Sequence, residues 1–325
     1  MEENIFEQRT DLSHLQLAVD RLKKEIGKVI VGQEQMIELL LAAMLADGHV
    51  LIEGVPGVAK TLTAKLLSKA ISVDFSRIQF TPDLMPSDVI GTSVFNPRES
   101  VFQFRKGPIF SNIILIDEIN RAPAKTQAAM FEVMEERQVT VDGQTYLLPP
   151  PFIVLATQNP IEQEGTYHLP EAQLDRFLFK ILINYPTAEQ EFEILMHHHT
   201  ARAENFLENI AAVLAPYELG QLRKQVRLIH MEHKLMTYIT TIVGSTRGHK
   251  SIYLGASPRA SIGILNGSKA LAAMRGRDFV TPEDIIYISP AVLRHRLVLT
   301  PEKEMEGVST DEVINELIHH IDVPR

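Results

Sequence analysis

Gly54-Val55-Pro56-Gly57-Val58-Ala59-Lys60-Thr61 is the stretch that decides the fold of this chain. It follows a short apolar run, Val50-Leu51-Ile52, and precedes apolar residues at helical spacing, Leu62, Leu66, Leu67, Ala70 and Ile71. Strand, glycine loop and helix, in that order, make a setting in which backbone N–H groups turn inward at a helix N-terminus and cradle phosphate oxygens. In such a loop Lys60 reaches the β- and γ-phosphates of a nucleotide, and the Thr61 hydroxyl ligates Mg2+. Ala59 replaces the last glycine of the strict pattern, which is tolerable if that residue has a negative φ. Taken alone, the same letters also describe a Gly/Pro turn ahead of a Lys-Thr pair.

A second stretch, Ile113-Ile114-Leu115-Ile116-Asp117-Glu118, bears on that choice. Four consecutive apolar residues predict a strand buried on both faces of a parallel sheet. Asp117 and Glu118 then stand at the C-terminal end of the strand, the edge where open α/β sheets bind ligands. Asp117 suits the Mg2+ shell by way of water, and Glu118 suits polarising a water that attacks the γ-phosphate. By itself the pair also fits a solvated acidic turn; downstream of residues 54–61 the chemical reading is favoured.

The length of 325 residues suggests roughly two domains. A hydrophobic content of 45% is enough to build full cores. The absence of cysteine excludes disulfides and thiolate metal sites and suits a reducing cytoplasm. No N-terminal basic region leads into an apolar core, so no signal peptide is expected, and the apolar runs are too short to span a bilayer. The formal net charge of -9 argues against a general nucleic-acid binder.

Along the chain, Leu15, Val19, Leu22 and Ile26 predict an N-terminal amphipathic helix. A strand is expected around Ile78 and Phe80, followed by a proline-marked loop at residues 81–88. Two hairpins follow: Val94-Phe95 with residues 101–104 across Asn96-Pro97-Arg98, and residues 139–141 with 145–147 across Asp142-Gly143. Residues 127–137 read as a helix after Pro123, residues 152–157 as a buried strand ending at Gln158-Asn159-Pro160, and residues 178–183 as a last strand. Everything after Pro186 reads as helices, with N-terminal signals at Thr187 and Gln190, Ser257-Pro258, Thr281-Pro282, and Ser309 with Glu312. The boundary falls near Pro186. Residues 1–186 form a nucleotide-binding α/β core and residues 187–325 a helical lid.

The order of these motifs resembles the AAA+ ATPases, and most closely the MoxR family. The carriers are Val31-Gly32-Gln33, residues 54–61 with alanine before the lysine, Ile116-Asp117-Glu118-Ile119-Asn120-Arg121-Ala122 and Ala156-Thr157-Gln158-Asn159-Pro160. Leu169-Pro170-Glu171-Ala172-Gln173-Leu174-Asp175-Arg176-Phe177 and Gly255-Ala256-Ser257-Pro258-Arg259-Ala260 complete the set. The resemblance implies an α/β fold of the P-loop NTPase type, a parallel sheet sandwiched by helices, with a helix-2 insert, a pre-sensor hairpin and a C-terminal all-α lid. It implies ATP and Mg2+ as cofactors, held by Gly54, Val55, Pro56, Gly57, Val58, Ala59, Lys60, Thr61 and Leu62, with Val31 and Gly32 near the adenine.

Residue by residue, Asn159 matches sensor 1, which positions the attacking water. Arg259 matches sensor 2, expected to reach the phosphates of its own subunit. Arg176 matches the arginine finger that acts on the neighbouring subunit's nucleotide, supplying charge where negative charge spreads in the transition state. Gln79 is a candidate for holding Glu118 inactive, and Arg121 for work across subunits. The plainer alternatives are an ion pair of Arg176 with Glu171 or Asp175, a turn role for Asn159 before proline, and hairpin aromatics Phe95, Phe102 and Phe104 that pack rather than grip a protein segment. His197-His198-His199 fan out on a helix and, with His230 and His233, read as surface or lid packing.

The implied protein is a cytoplasmic, Mg2+-dependent ATP hydrolase that forms a ring, expected to be a hexamer, and remodels partner proteins, often ones with a von Willebrand factor A domain. The alternatives are a nucleic-acid motor of the same branch, against which the acidic tip at Asp142 speaks, a metal-chelatase motor subunit, and a nucleotide-binding regulator without turnover.

Overall fold

In the computed structural model, residues 11–55, 57–159, 167, 169–200 and 210–324 are described; Pro56 and Pro160 lie outside them. The chain opens with α1 (Ser13–Gly27), whose Leu15, Ala18, Val19, Leu22 and Ile26 form one buried stripe, and α2 (Glu34–Leu45), which is apolar nearly all round. Then come β1 (His49–Gly54), α3 (Lys60–Ala70), β2 (Phe75–Gln79), α4 (Pro86–Ile90), the hairpin β3 (Gly91–Asn96) and β4 (Val101–Lys106), and β5 (Ile113–Asp117). A 3-10 turn (Ile119–Arg121) leads to α5 (Ala124–Glu136), a second hairpin of β6 (Gln138–Val141) and β7 (Gln144–Leu147), β8 (Ile153–Gln158), α6 (Glu171–Leu174) and β9 (Phe177–Ile183).

Five parallel strands form the sheet, in the order β2-β5-β8-β1-β9. In β5, Ile113 and Leu115 enter one apolar cluster and Ile114 and Ile116 the other. Alternate residues of a strand point to opposite faces, so an unbroken apolar run is what a sheet covered on both sides requires. Gln79 pairs with Asp117, Ile116 with Ala156 and Glu53 with Gln158, so the C-terminal ends of β2, β5, β8 and β1 finish at one edge.

The two hairpins are fastened to each other. Phe104 stacks on Tyr146 at 4.6 Å and meets Phe110 edge-on at 5.8 Å, and the Ser93 hydroxyl donates to the Asp142 carboxylate at the second tip. Phe95 and Phe102 stay 49% and 71% exposed, their ring centroids 5.3 Å apart. The three aromatics therefore divide between packing and presentation.

After Pro186 the chain forms α7 (Ala188–Thr200), α8 (Pro216–Leu228), α9 (His233–Ser245), β10 (Ile252–Leu254), α10 (Pro258–Met274), α11 (Pro282–Leu293), β11 (Val298–Leu299), α12 (Pro301–Met305) and α13 (Thr310–His319). The expected helix starts are present: Thr187 and Gln190 cap each other, Ser257 accepts from the Arg259 N–H, and Thr281 with Asp284 and Ser309 with Glu312 close capping boxes. The all-helical expectation is corrected in one place, the antiparallel pair β10–β11, whose strands are too short to show a period-2 signal.

One apolar cluster runs from α1, α2 and α3 into α8, α9, α10, α11 and α13. On α10, a Cβ at Gly267 would meet Phe179 of β9 at 2.9 Å and Ile288 of α11 at 2.8 Å, so only glycine lets this helix lie that close to the sheet edge.

Candidate active site at the C-terminal edge of the sheet

Lys60 and Thr61 open α3 directly after β1, as the strand–loop–helix order predicts. Gly57 has φ +90°. Ala59 is a correction: its φ is +58° and its ψ 19°, left-handed, although a negative φ was expected. The turn into the helix demands that conformation whatever the side chain, so the substitution stores strain at the phosphate loop. Lys60 Nζ donates to the Gly54 carbonyl at 2.5 Å. Burial lowers its pKa, while the nearby charges of Asp117, Glu118 and Glu53 act the other way. An ammonium held so, close to two carboxylates, is suited to receive phosphate oxygens.

Asp117 is buried at the end of β5 and doubly held: Arg77 Nε donates to Oδ2 at 2.5 Å and the Thr157 hydroxyl to Oδ1 at 3.2 Å. The Thr157 hydroxyl in turn accepts the Glu118 N–H at 3.1 Å. Glu118 has φ +58° and ψ 55°, another left-handed non-glycine residue, at the position read as the water-polarising carboxylate. Strain of this kind persists where surrounding contacts over-determine it, and functional sites are where it collects. Glu118 Oε2 accepts from Gln79 Nε2 at 3.0 Å and lies 3.0 Å from Arg121 Nε, so Arg121 is engaged inside its own chain. Asn159 follows β8 at the same edge. Arg77 and Thr157 carried no role in the sequence reading; the register of β2 and β8 against β5 reveals them.

Beside the loop a cleft of about 230 Å³ is lined by Val29, Ile30, Val31, Gly57, Val58 and Leu62, closed by Pro186 and by Ile194, His197 and His198 of α7. Its apolar walls suit a flat heterocycle. Val31 lies in it, whereas Gly32 lies in the adjoining cleft with Gln190 and Glu193. Gly32 has φ +73°, and a Cβ would meet the Gln190 side chain at 2.4 Å. His197 and His198, read as surface or lid packing, both border this cleft; helix periodicity does not show what a helix lies against.

Arg176 and Arg259 lie elsewhere. β9 runs parallel to β1, with Phe177 beside His49 at its start and Ile183 beside Gly54 at its end. Arg176 precedes Phe177, so it stands one strand length, about 20 Å, from the phosphate loop. Arg259 joins it there: Arg259 Nη2 donates to Glu135 Oε1 at 2.5 Å, and Arg176 Nε lies 3.4 Å from Glu135 Oε2. Ser257, the cap of Arg259's helix, donates to Asp175 at 2.8 Å, and the buried Arg296 pairs with the same carboxylate at 2.7 Å. Two expectations change. The ion-pair partner of Arg176 is Glu135 rather than Glu171 or Asp175. Arg259 is held at the far edge of the sheet and not beside the phosphate loop of its own chain. Glu135 and Arg296 had no signal as partners, because Glu135 meets Arg176 and Arg259, and Arg296 meets Asp175, only in the folded chain.

Residues 49–179 match the ATPase family associated with various cellular activities (AAA), and residues 244–317 match the AAA lid domain. The chain is 44% identical over 316 residues to Chaperone MoxR1 of Mycobacterium tuberculosis, covering 94% of this chain and 82% of that one. It belongs to the MoxR family of AAA ATPases. It is also 46% identical over 301 residues to the uncharacterized protein YeaC of Bacillus subtilis, covering 93% of each. The crystal structure of a candidate ATPase from Cytophaga hutchinsonii superposes with a TM-score of 0.89 at 42% identity, over 97% of both chains. A MoxR-type chain binds nucleotide and hydrolyses ATP, and the α/β core with its lid is the architecture of that family. Among the described residues no helix is long and apolar enough to cross a membrane.

Proposed function

We propose that this MoxR-type ATPase is Mg2+-dependent, works as a closed ring of copies, and uses hydrolysis to remodel partner proteins. The observation that carries the ring is the placement of charge: Lys60 and Glu118 lie at one edge of the sheet, Arg176 and Arg259 at the other. A single chain holds two half-sites that meet only between copies. Both arginines, and not Arg176 alone, then act on the neighbour's triphosphate.

ATP fits the residues present. The apolar cleft at Val31 and Leu62 takes the base, the N–H groups of residues 57–61 face the phosphates, and Lys60 offsets their charge. Thr61 and Asp117 are the residues that would hold Mg2+; one hydroxyl and one carboxylate, completed by waters and phosphate oxygens, is a usual set for this ion. When bound, Mg2+ neutralises charge between the phosphates. Glu118 accepts a proton from the attacking water, Asn159 orients that water, and the neighbour's Arg176 and Arg259 stabilise the spreading negative charge.

Remodelling is supported by the name of the relative Chaperone MoxR1 and by the exposed pair Phe95 and Phe102 on a hairpin coupled to a second one. A von Willebrand factor A domain protein is the client class that the family resemblance suggests, and a hexamer the ring size. A nucleic-acid motor is disfavoured because the second hairpin tip carries Asp142, bonded to Ser93. The test is Glu118→Gln: it retains ATP while turnover falls by at least about a hundredfold, and in ATP it migrates as a ring by size-exclusion chromatography. Wild-type protein that fails to retain adenine nucleotide with Mg2+ present sinks the whole reading.

A further inference from the structure

Glu135 is the one carboxylate, among the described residues, that touches both candidate arginines. It stands in the last turn of α5, which itself contains no basic residue, at the negative end of the helix. Arg259 stands in the first turn of α10, at a positive end. Each charge is badly placed on its own helix, and each is compensated by the other. Arg176 lies over the Phe131 ring at 6.0 Å, and Phe131 is itself braced edge-on by Phe177 at 5.9 Å. Arg259 Nη2 is hydrogen-bonded to one Glu135 oxygen, and the buried Arg176 Nε lies 3.4 Å from the other as an ion pair without a hydrogen bond.

We propose that Glu135 is a positioning residue: its two oxygens hold Arg176 and Arg259 side by side as one cationic fork, open to the phosphates of a neighbouring copy. The inference rests on the reading that both arginines act across an interface. Two guanidiniums this close repel one another, and a single carboxylate between them offsets the repulsion. It also fixes two long side chains that would otherwise have to be ordered in the transition state. The contribution therefore falls on turnover and not on ATP binding, which belongs to the opposite edge. Exposed ion pairs add little stability, so neutralising Glu135 leaves the fold intact.

The test is Glu135→Gln, which keeps the shape and removes the charge. In the assembled protein kcat falls by about ten- to a hundredfold while KM for ATP stays within about twofold, with an unchanged thermal transition. Mixing with Glu118→Gln subunits restores turnover, because those subunits lend an intact fork to the intact site of the Glu135→Gln subunit. Unchanged or increased kcat overturns the proposal, as does a loss that mixing does not repair. Arg176→Ala, run alongside, separates the two levels. If it hydrolyses ATP normally, the interface reading fails; if it loses turnover and Glu135→Gln does not, only the role of Glu135 fails.

Discussion

The Gln79 side-chain amide donates to Glu118 Oε2 at 3.0 Å, between the ends of two paired strands. The carboxylate read as the base is thus already engaged before any water approaches, by Gln79 and also by Arg121. The Gln79 amide occupies the oxygen that would meet the attacking water, and that bond must break before the water can take its place. Gln79→Ala should therefore raise the turnover of the protein alone, by about fivefold for a bond of about 1 kcal/mol. Steady-state hydrolysis without a partner protein checks this; turnover that stays the same or falls removes Gln79 as a restraint.

Arg176→Ala and Arg259→Ala should each bind ATP normally and each lose turnover, Arg176→Ala by about a thousandfold. Activity should return when either variant is mixed with Glu118→Gln subunits. Arg259 is the more discriminating of the two. Were it to act on its own chain's nucleotide, the mixture would stay inactive.

His49 supplies a pH dependence. Its ring is buried, Nδ1 accepts the Val154 N–H at 3.0 Å, and Nε2 lies 3.1 Å from the Met134 carbonyl, so the neutral form fits both bonds. Burial lowers its pKa from 6.5 to about 4. The unfolded chain therefore binds a proton near pH 6.5 that the folded chain refuses. Stability is complete above that pH and falls as pH drops toward 4, by about 3 kcal/mol at most. His295, also buried and lowered well below 6.5 beside Arg296, adds in the same direction. Urea unfolding at pH 7 and pH 5 measures the slope; equal midpoints would remove this account.

Ala59→Gly should relieve the left-handed alanine at the phosphate loop. The expected gain is up to about 1 kcal/mol, or about 2 °C in Tm, reduced by the added freedom of glycine in the unfolded chain. Differential scanning calorimetry reads it directly. A lower Tm would mean that the loop holds Ala59 without strain.

Much of the α/β core was legible because its signals are local. Ile113 to Ile116 form an unbroken apolar run, residues 54–61 carry their own loop chemistry, and Ser309 and Glu312 announce a helix start within four residues. Lys60, Thr61, Asp117 and Glu118 lie at one sheet edge because β1 and β5, which lead to them, flank β8 and run parallel to it. What stayed hidden depends on distant segments. Residue type alone gives Ala59 no reason to be left-handed, since the turn geometry imposes it. Arg77 and Thr157 become partners of Asp117 only through strand register. The position of Arg259 was misjudged because it is set by where α10 packs, through Asp175, Arg296 and Gly267, and none of these contacts leaves a trace near residue 259.

The apolar cluster shared by α1, α2 and the later helices makes residue 186 a poor place to cut. A fragment ending there would carry the bare outer face of α2 and the Phe179 edge into water, and the excised helices would carry the matching surface of α10. Both pieces would tend to aggregate, and the intact chain should melt in a single cooperative step. Whatever motion hydrolysis drives, these halves should travel largely as one body.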